Sequence, residues 1–143
     1  MGYILGTRSR KNLEGVHPDL VNVVLLAIDR SPVDFGVICG VRTLKQQEDL
    51  YAQGRTKPGP IVTWTMNSKH LIQEGTGFGH AVDLGAFVAG ELRWDWPLYH
   101  KIADAMKSAA KELEVNITWG GEFKTKKDGP HFQIEIGKKN GEG

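Results

Sequence analysis

The segment HFQIEI at residues 131–136 alternates strictly between polar and apolar side chains. Successive side chains of a β-strand point to opposite faces, so this period of two predicts a strand that is buried on one side. One face carries Phe132, Ile134 and Ile136, and the other face carries His131, Gln133 and Glu135. The predicted strand therefore supplies apolar side chains to a core and begins with a histidine on its polar face.

A second strand and a helix are predicted on either side of Arg42. Apolar side chains alternate along the run before it, at Phe35, Val37, Cys39 and Val41. Thr43 followed by Gln46 is a capping-box pattern, which predicts a helix that starts there and runs to Gly54. Arg42 is therefore expected at a strand-to-helix corner.

Two further helices complete the predicted elements. Pro18 suits a first helical turn, and the continuously apolar residues 20–28 predict a largely buried helix that ends near Ser31. Asp95 starts another, with apolar side chains at helical spacing at Leu98, Ile102, Ala105, Ala109 and Leu113. A strand with Val115, Ile117 and Trp119 follows it. This pattern predicts an α+β fold, with helices packed on a small, mostly antiparallel sheet.

Length and charge narrow the function classes. The 143 residues suit a single domain, residues 1–143, with a core at about 16–136 and a flexible tail at 137–143. A formal net charge of +1 gives no field that favours nucleic acid as a partner. Residues 23–28 are far shorter than the ~20 apolar residues of a membrane span, and residues 1–11 lack a signal-peptide block. We therefore expect a soluble chain without membrane insertion or a classical export signal.

The histidines suggest a metal site. Five are present, and those at positions 17 and 100, on or next to helices, are expected to be solvated or structural. A catalytic zinc takes three nitrogen or oxygen ligands and leaves one position open for water. The chain offers one such set, formed by His70 or His80 together with Asp83 and His131. Both residues also have common roles that involve no metal, because Asp83 can cap a turn and His131 can face water.

Four short motifs resemble a known family. They are GVRT at residues 40–43 with a glutamine at 46 or 47, SKH at 68–70, GHAVD at 79–83 and DGPHF at 128–132. In this order they are similar to the zinc peptidase family that includes phage L-alanyl-D-glutamate endolysins, D-Ala-D-Ala carboxypeptidases and VanX-like dipeptidases. The family pattern is Ser-x-His-x-x-Gly-x-Ala-x-Asp, followed much later by acid-x-x-His.

The resemblance implies a Zn²⁺ ion at the sheet, held by His70, Asp83 and His131. The sequence departs from the family in one place, because about six extra residues within 71–78 separate His70 from Asp83. We expect these residues to loop out, so that His70 remains the ligand. The rival is His80, but three residues along an extended strand put His80 and Asp83 on opposite faces.

The resemblance also implies roles around the metal. Asp128 would be the general base and then the proton donor to the leaving amine, with a turn-initiating aspartate as the alternative. Arg42 would donate to the developing oxyanion or the substrate carbonyl, and Ser68 would bind the substrate backbone. The alternatives are that Arg42 is an ordinary surface arginine and that the Ser68 hydroxyl serves only a turn. Three tryptophans are suggested as walls of the cleft, namely Trp64, Trp94 and Trp119, with a place in the core as the commoner alternative for side chains of this size.

The resemblance implies a monomeric endolysin with bacterial peptidoglycan peptide as its partner, cleaving between L-Ala and D-Glu during phage-induced lysis. Such a protein would stay in the host cytoplasm until a holin opens the membrane and would then reach the periplasm and cell wall. A D-Ala-D-Ala carboxypeptidase or dipeptidase is the alternative among enzymes. A non-catalytic zinc-containing peptide-binding module is the alternative outside them, although a structural zinc would need neither Asp128 nor Arg42.

Overall fold

The computed structural model describes residues 2–61, 63 and 66–136. Its helices are α1 (Thr7–Asn12), α2 (Pro18–Arg30), α3 (Leu44–Ala52) and α4 (Trp96–Glu112). Its strands are β1 (Asp34–Cys39), β2 (Ile72–Gln73), β3 (Phe78–Gly79), β4 (Ala81–Val88), β5 (Glu91–Arg93), β6 (Ile117–Trp119) and β7 (His131–Ile134). A 3-10 turn, Gly120–Glu122, follows β6. The tail predicted at residues 137–143 lies outside the described residues.

The main sheet of the described chain has five strands, and every pairing in it is antiparallel. Its order is β1-β4-β7-β6, and the short β5 pairs with the far end of β4. β2 and β3 form a separate two-stranded hairpin. The predicted α+β class, with helices on a small antiparallel sheet, is confirmed.

The apolar core lies between this sheet and two helices. α2 and α4 pack against each other and against one face of the sheet. Alternate residues of β4 and β7 are buried beneath them, at Val82, Leu84, Ala86, Phe132 and Ile134. Because side chains alternate along a strand, Asp83 and His131 point to the opposite face. This second surface of the sheet, which we call the open face, carries the candidate site.

The helix α2 is buried on one side only. Its buried side chains form a single stripe of Leu20, Val23, Val24, Ala27 and Ile28. Leu25, on the other side, is 43% exposed. The expectation of a largely buried helix is therefore wrong for one face, because α2 packs against its neighbours along a single stripe. None of the helices formed by the described residues has the length and apolar character of a transmembrane segment.

A β-bulge in β1 changes the face on which Cys39 lies. Val37 pairs with Leu84, whereas Cys39, two residues further on, pairs with Asp83, only one residue away. The extra residue turns Cys39 towards the open face, while Phe35 and Val37 stay in the core. The predicted single apolar face is wrong at this point, because a bulge re-aims the side chains that follow it.

The remaining differences concern the ends of elements, one short helix and the short strands β2, β3 and β5, which were not predicted. α3 begins with the predicted capping box of Thr43 and Gln46. β7 ends at Ile134, so Ile136, which was expected in the core, is 45% exposed. The six-residue helix α1 was not predicted, and it has no buried side chain that would leave an apolar stripe in the sequence.

Candidate metal centre

Three neighbouring strands place Cys39, Asp83 and His131 in a row across the open face. Cys39 lies opposite Asp83 in the β1–β4 pairing, and His131 lies opposite Asp83 in the β4–β7 pairing. Residues directly opposite one another in antiparallel strands have Cβ atoms about 4.5–5.5 Å apart. The register of the sheet therefore brings a thiol, a carboxylate and an imidazole together.

His70 reaches this row from the segment that precedes β2. Its backbone N–H donates to Ser68 Oγ (3.1 Å), and its carbonyl accepts the backbone N–H of Arg42 (2.9 Å). The neighbouring carbonyl of Lys69 accepts the backbone N–H of His80 (2.7 Å). The segment is thus held between the β1–α3 corner and the start of β4. As a result the side chain of His70 is only 2% exposed.

The imidazoles of His70 and His131 face one oxygen of Asp83. The distance from His70 Nε2 to Asp83 Oδ1 is 3.3 Å, and that from His131 Nδ1 to the same oxygen is 3.4 Å. The ring centroids of the two histidines are 5.2 Å apart. His70 Nε2 and Asp83 Oδ1 are buried and have no hydrogen-bond partner in the described chain. Buried ligand atoms that face one another without partners leave a polar gap that a cation would fill.

The far nitrogen of His70 determines which nitrogen faces this gap. Nδ1 lies 2.8 Å from the carbonyl oxygen of Gly40, and that oxygen can only accept a hydrogen bond. Nδ1 therefore carries a proton, and Nε2 is the nitrogen available to a metal. A backbone carbonyl behind a ligating imidazole is a common arrangement in metal sites, because it fixes the ring orientation.

Burial and charge oppose each other at these groups. Burial disfavours the charged form of His70, but its contacts with Asp83 and Cys39 together outweigh burial and raise the pKa of His70 to about 10. Burial is the largest influence on Asp83 and opposes its ionisation, yet the nearby His131 and His70 together outweigh burial and lower the pKa of Asp83. The ionised carboxylate thus keeps a proton on His70 in the metal-free protein. A bound cation would take the place of that proton.

The chemistry of the donor set fits zinc. Two imidazoles and one carboxylate are the nitrogen and oxygen ligands of many catalytic zinc sites, and three ligands leave a position open. Cys39 adjoins this set, with its Sγ 3.8 Å from Nδ1 of His70. Sequence reasoning missed Cys39 as a neighbour of the site. The only available signal was its place at the end of the predicted strand before Arg42.

Asp128 lies next to the same set. Its carboxylate offers a ligand atom within 4.8 Å of those of Asp83 and His131. The indole Nε1 of Trp119 donates to the carbonyl of Gly129 (2.6 Å) and so holds the loop that carries Asp128. Partial burial, followed by the nearby charge of Asp83, raises the pKa of Asp128. Asp128 therefore takes up a proton more readily than an ordinary aspartate.

Arg42 occupies the predicted corner between β1 and α3. Its Nη1 donates to Gln47 Oε1 (2.9 Å), and its Nη2 lies 3.4 Å from Asp83 Oδ2. Gln47 is fully buried, and its Nε2 donates to Thr63 Oγ1 (3.1 Å). The sequence left open which glutamine accompanies Arg42. Gln46 is used in the helix cap, whereas Gln47 holds the guanidinium.

His80 lies apart from the metal ligands of the predicted set. The extra residues form the β2–β3 hairpin and the turn between its strands. His80 Nε2 is 2.7 Å from Thr76 Oγ1, and the His80 ring is 5.7 Å from that of His17. Burial, with a smaller effect of His17, lowers the pKa of His80. The described residues form two clusters of potential ligand atoms, and neither includes His80. One consists of Cys39, His70 and Asp83, and the other of Asp83, Asp128 and His131.

A cleft of about 300 Å³ opens over the row. Five of the six predicted site residues are among those that line it, namely Arg42, Ser68, His70, Asp128 and His131. Its described aromatic wall is Phe123, and neither Trp94 nor Trp119 is among the described lining residues. Trp94 stacks on Tyr99 and is 55% exposed. Trp119 is buried in the core, which was its alternative, so neither forms a wall of the cleft. Trp64 lies outside the described residues.

Comparison with known proteins adds a family to this geometry. The family model for phage L-alanyl-D-glutamate peptidase matches residues 1–141. The L-alanyl-D-glutamate peptidase of Escherichia phage T5 is 28% identical over 142 residues, which cover 99% of this chain and 96% of that protein. The peptidoglycan L-alanyl-D-glutamate endopeptidase CwlK of Bacillus subtilis (strain 168) is 30% identical over 106 residues, which cover 71% of this chain and 61% of CwlK.

A solved structure agrees with both the fold and the sequence. The crystal structure of the Serratia marcescens L-Ala D-Glu endopeptidase ChiX matches with a TM-score of 0.77 at 42% identity. The match covers 92% of this chain and 90% of ChiX. The resemblance indicated by the four motifs is thus confirmed. Because the family model spans nearly the whole sequence, the chain belongs to the phage L-alanyl-D-glutamate peptidase family.

Proposed function

We propose that this protein is a zinc-dependent endopeptidase that hydrolyses the bond between L-Ala and D-Glu in peptidoglycan stem peptides. The observation that carries the proposal is the gap beside Asp83 Oδ1, which His70 Nε2 and His131 Nδ1 both face. Two of these three ligand atoms are buried without a partner in the described chain. The bond is inferred from the names of the relatives in phage T5, Bacillus subtilis and Serratia marcescens.

The residues around the gap can bind the metal and transfer protons during hydrolysis. His70, Asp83 and His131 would hold the zinc ion. When bound, zinc supplies a Lewis acid that polarises a carbonyl and lowers the pKa of a water molecule. Asp128 accepts the proton of the attacking water and passes it to the nitrogen of the leaving amine. The raised pKa of Asp128 suits this exchange, because one carboxyl group must both take up and give up a proton.

Two further side chains of the cleft can bind the substrate. Arg42 is held by Gln47 and Asp83, and the guanidinium has five N–H groups, so donors remain for the scissile carbonyl oxygen as its charge develops. The hydroxyl of Ser68 accepts the backbone N–H of His70, and its own proton can be donated to the substrate backbone. The turn-hydroxyl role and the substrate role of Ser68 are therefore compatible.

We further propose that the protein acts as an endolysin in phage-induced host lysis. The family and the phage T5 relative support this role. The protein would accumulate in the host cytoplasm and reach the periplasm and cell wall after a holin-type opening of the membrane. We propose that it acts as a monomer.

Digestion of purified peptidoglycan is expected to expose new L-Ala carboxyl termini and new D-Glu amino termini. Mass spectrometry of the released fragments, with terminal-residue analysis, measures both. Free D-alanine as the sole product would instead assign the protein to the D-Ala-D-Ala carboxypeptidases or dipeptidases. Binding to the wall without any new terminus would indicate a non-catalytic module.

Purified protein is expected to contain about one zinc ion per chain, since the gap offers one three-ligand site. A chelator should abolish hydrolysis, and added zinc should restore it. Because His70 has a pKa of about 10 in the metal-free protein, zinc binding at neutral pH should release a proton and weaken as the pH falls. Elemental analysis and calorimetry in buffers of different protonation enthalpy measure these effects. Full activity of a demonstrably metal-free sample would end the metallopeptidase proposal.

A further inference from the structure

We propose that Gln133 and Glu135 form a positioning relay that orients the imidazole of His131, with its Nε2–H donated to Gln133 and its Nδ1 directed towards the metal. The proposal rests on the zinc site of the proposed function and concerns the side chains behind one of its ligands. Both relay residues lie outside the four motifs of the family resemblance. Gln133 lines the cleft and contacts the ligand His131, and Glu135 contacts Gln133, so the role proposed for both is to orient a ligand.

The relay is a continuous chain of hydrogen bonds on the open face of the sheet. His131 Nε2 lies 2.8 Å from Gln133 Oε1. Gln133 Nε2 donates to Glu135 Oε1 at 2.8 Å. The hydroxyl of Thr118 donates to the same glutamate oxygen at 3.2 Å. Thr118 is the β6 residue that pairs with Gln133, so the neighbouring strand anchors the far end of the chain.

The direction of each bond follows from what each group can donate. An ionised carboxylate can only accept, so Gln133 must turn its NH₂ group to Glu135. The carbonyl oxygen of the Gln133 amide then faces His131, and only a protonated Nε2 completes that bond. A neutral imidazole with its proton on Nε2 keeps the lone pair on Nδ1. Nδ1 is the nitrogen that lies 3.4 Å from Asp83 Oδ1.

The two histidine ligands present opposite nitrogens and depend on different supports. His70 turns Nε2 to the gap because its Nδ1 donates to the backbone carbonyl of Gly40. His131 turns Nδ1 to the gap, and the partner of its Nε2 is the side chain of Gln133. A substitution can therefore remove the support of His131 while that of His70 stays intact. This difference makes the relay testable.

The test compares Gln133→Met with Gln133→Glu. Methionine keeps the length of the side chain but has no strong acceptor, so the His131 Nε2–H should exchange with water. The NMR signal of the His131 Nε2–H, which is protected in the metal-free wild-type protein, should then disappear, while the Nδ1–H signal of His70 remains. Zinc affinity, measured by competition with a chelator, should fall by roughly 10- to 100-fold, the usual cost of losing such a partner. Gln133→Glu keeps an acceptor oxygen for the His131 Nε2–H, so it should retain the proton signal even though it gives up the donor to Glu135.

Gln53→Met is the matched control, because Gln53 donates to the carbonyl of Pro60 on the surface. It should leave the His131 signal and the zinc affinity at wild-type values. An unchanged signal and unchanged affinity in Gln133→Met would overturn the relay. If that variant does not fold, Glu135→Ala removes the group that orients Gln133, and wild-type values there would overturn the relay equally.

The two proposals fail in different ways. A wild-type protein that binds no zinc would refute the zinc site. The protection of the His131 Nε2–H in the metal-free protein would still decide the relay, because that bond does not involve the metal.

Discussion

Replacement of Asp128 by asparagine is expected to slow peptidoglycan hydrolysis by roughly 10²- to 10⁴-fold, the range typical of a lost general acid–base group. Asparagine keeps the size of the side chain and its place in the turn, but it cannot accept the proton of the attacking water. The loop that carries it is still held by the bond from Trp119 to the carbonyl of Gly129. Initial rates, zinc content and thermal unfolding should therefore show a slow, folded and metallated enzyme.

Asp104→Asn is a suitable control for this substitution. Asp104 is an exposed residue of α4, so the same chemical change there should leave the rate unchanged. If Asp128→Asn partly unfolds and loses activity only in proportion to the unfolded fraction, Asp128 is a turn residue and not the general base. A folded, metallated and fully active variant would require another carboxylate to serve as the base.

Replacement of His70 by alanine is expected to abolish hydrolysis and to weaken zinc binding by more than ~100-fold. The loss of a ligand should exceed the 10- to 100-fold cost of losing a hydrogen-bond partner behind a ligand. His70 is buried against Asp83. Its Nε2 faces the gap and has no hydrogen-bond partner in the described chain. Equilibrium dialysis with zinc and rate measurements test the loss. Thermal unfolding of the metal-free variant shows how much of it comes from packing.

His80→Ala is the matched comparison, because it also truncates a buried histidine. It removes the hydrogen bond with Thr76, a net cost of about 1 kcal/mol of stability, and should keep most of the zinc and activity. If His70→Ala does not fold, His70→Gln keeps a polar side chain and tests the same loss of the ligand. Zinc binding that survives in His70→Ala but disappears in His80→Ala would show that His80 is the ligand.

The open face of β7 could be predicted from sequence because its information is local. The alternation at residues 131–136 placed His131, Gln133 and Glu135 on one side before any neighbour of the strand was known. The same segment does not show where the strand stops. Ile136 lies past the end of β7, since pairing with neighbouring strands, and not alternation, determines that end.

The sequence by itself determined the helices α2, α3 and α4, the strands β1, β6 and β7, the family, and the residues that could hold a metal, because periodicity and ordered motifs are properties of the linear chain. Only the tertiary structure decided that Cys39 turns to the open face, that Gln47 rather than Gln46 holds Arg42, and that His70 rather than His80 faces Asp83. A bulge in a strand, the burial of a helix side chain and the path of an inserted hairpin all depend on partners far away along the chain. Their positions follow from the closing of the sheet and the packing against it, which no local pattern records.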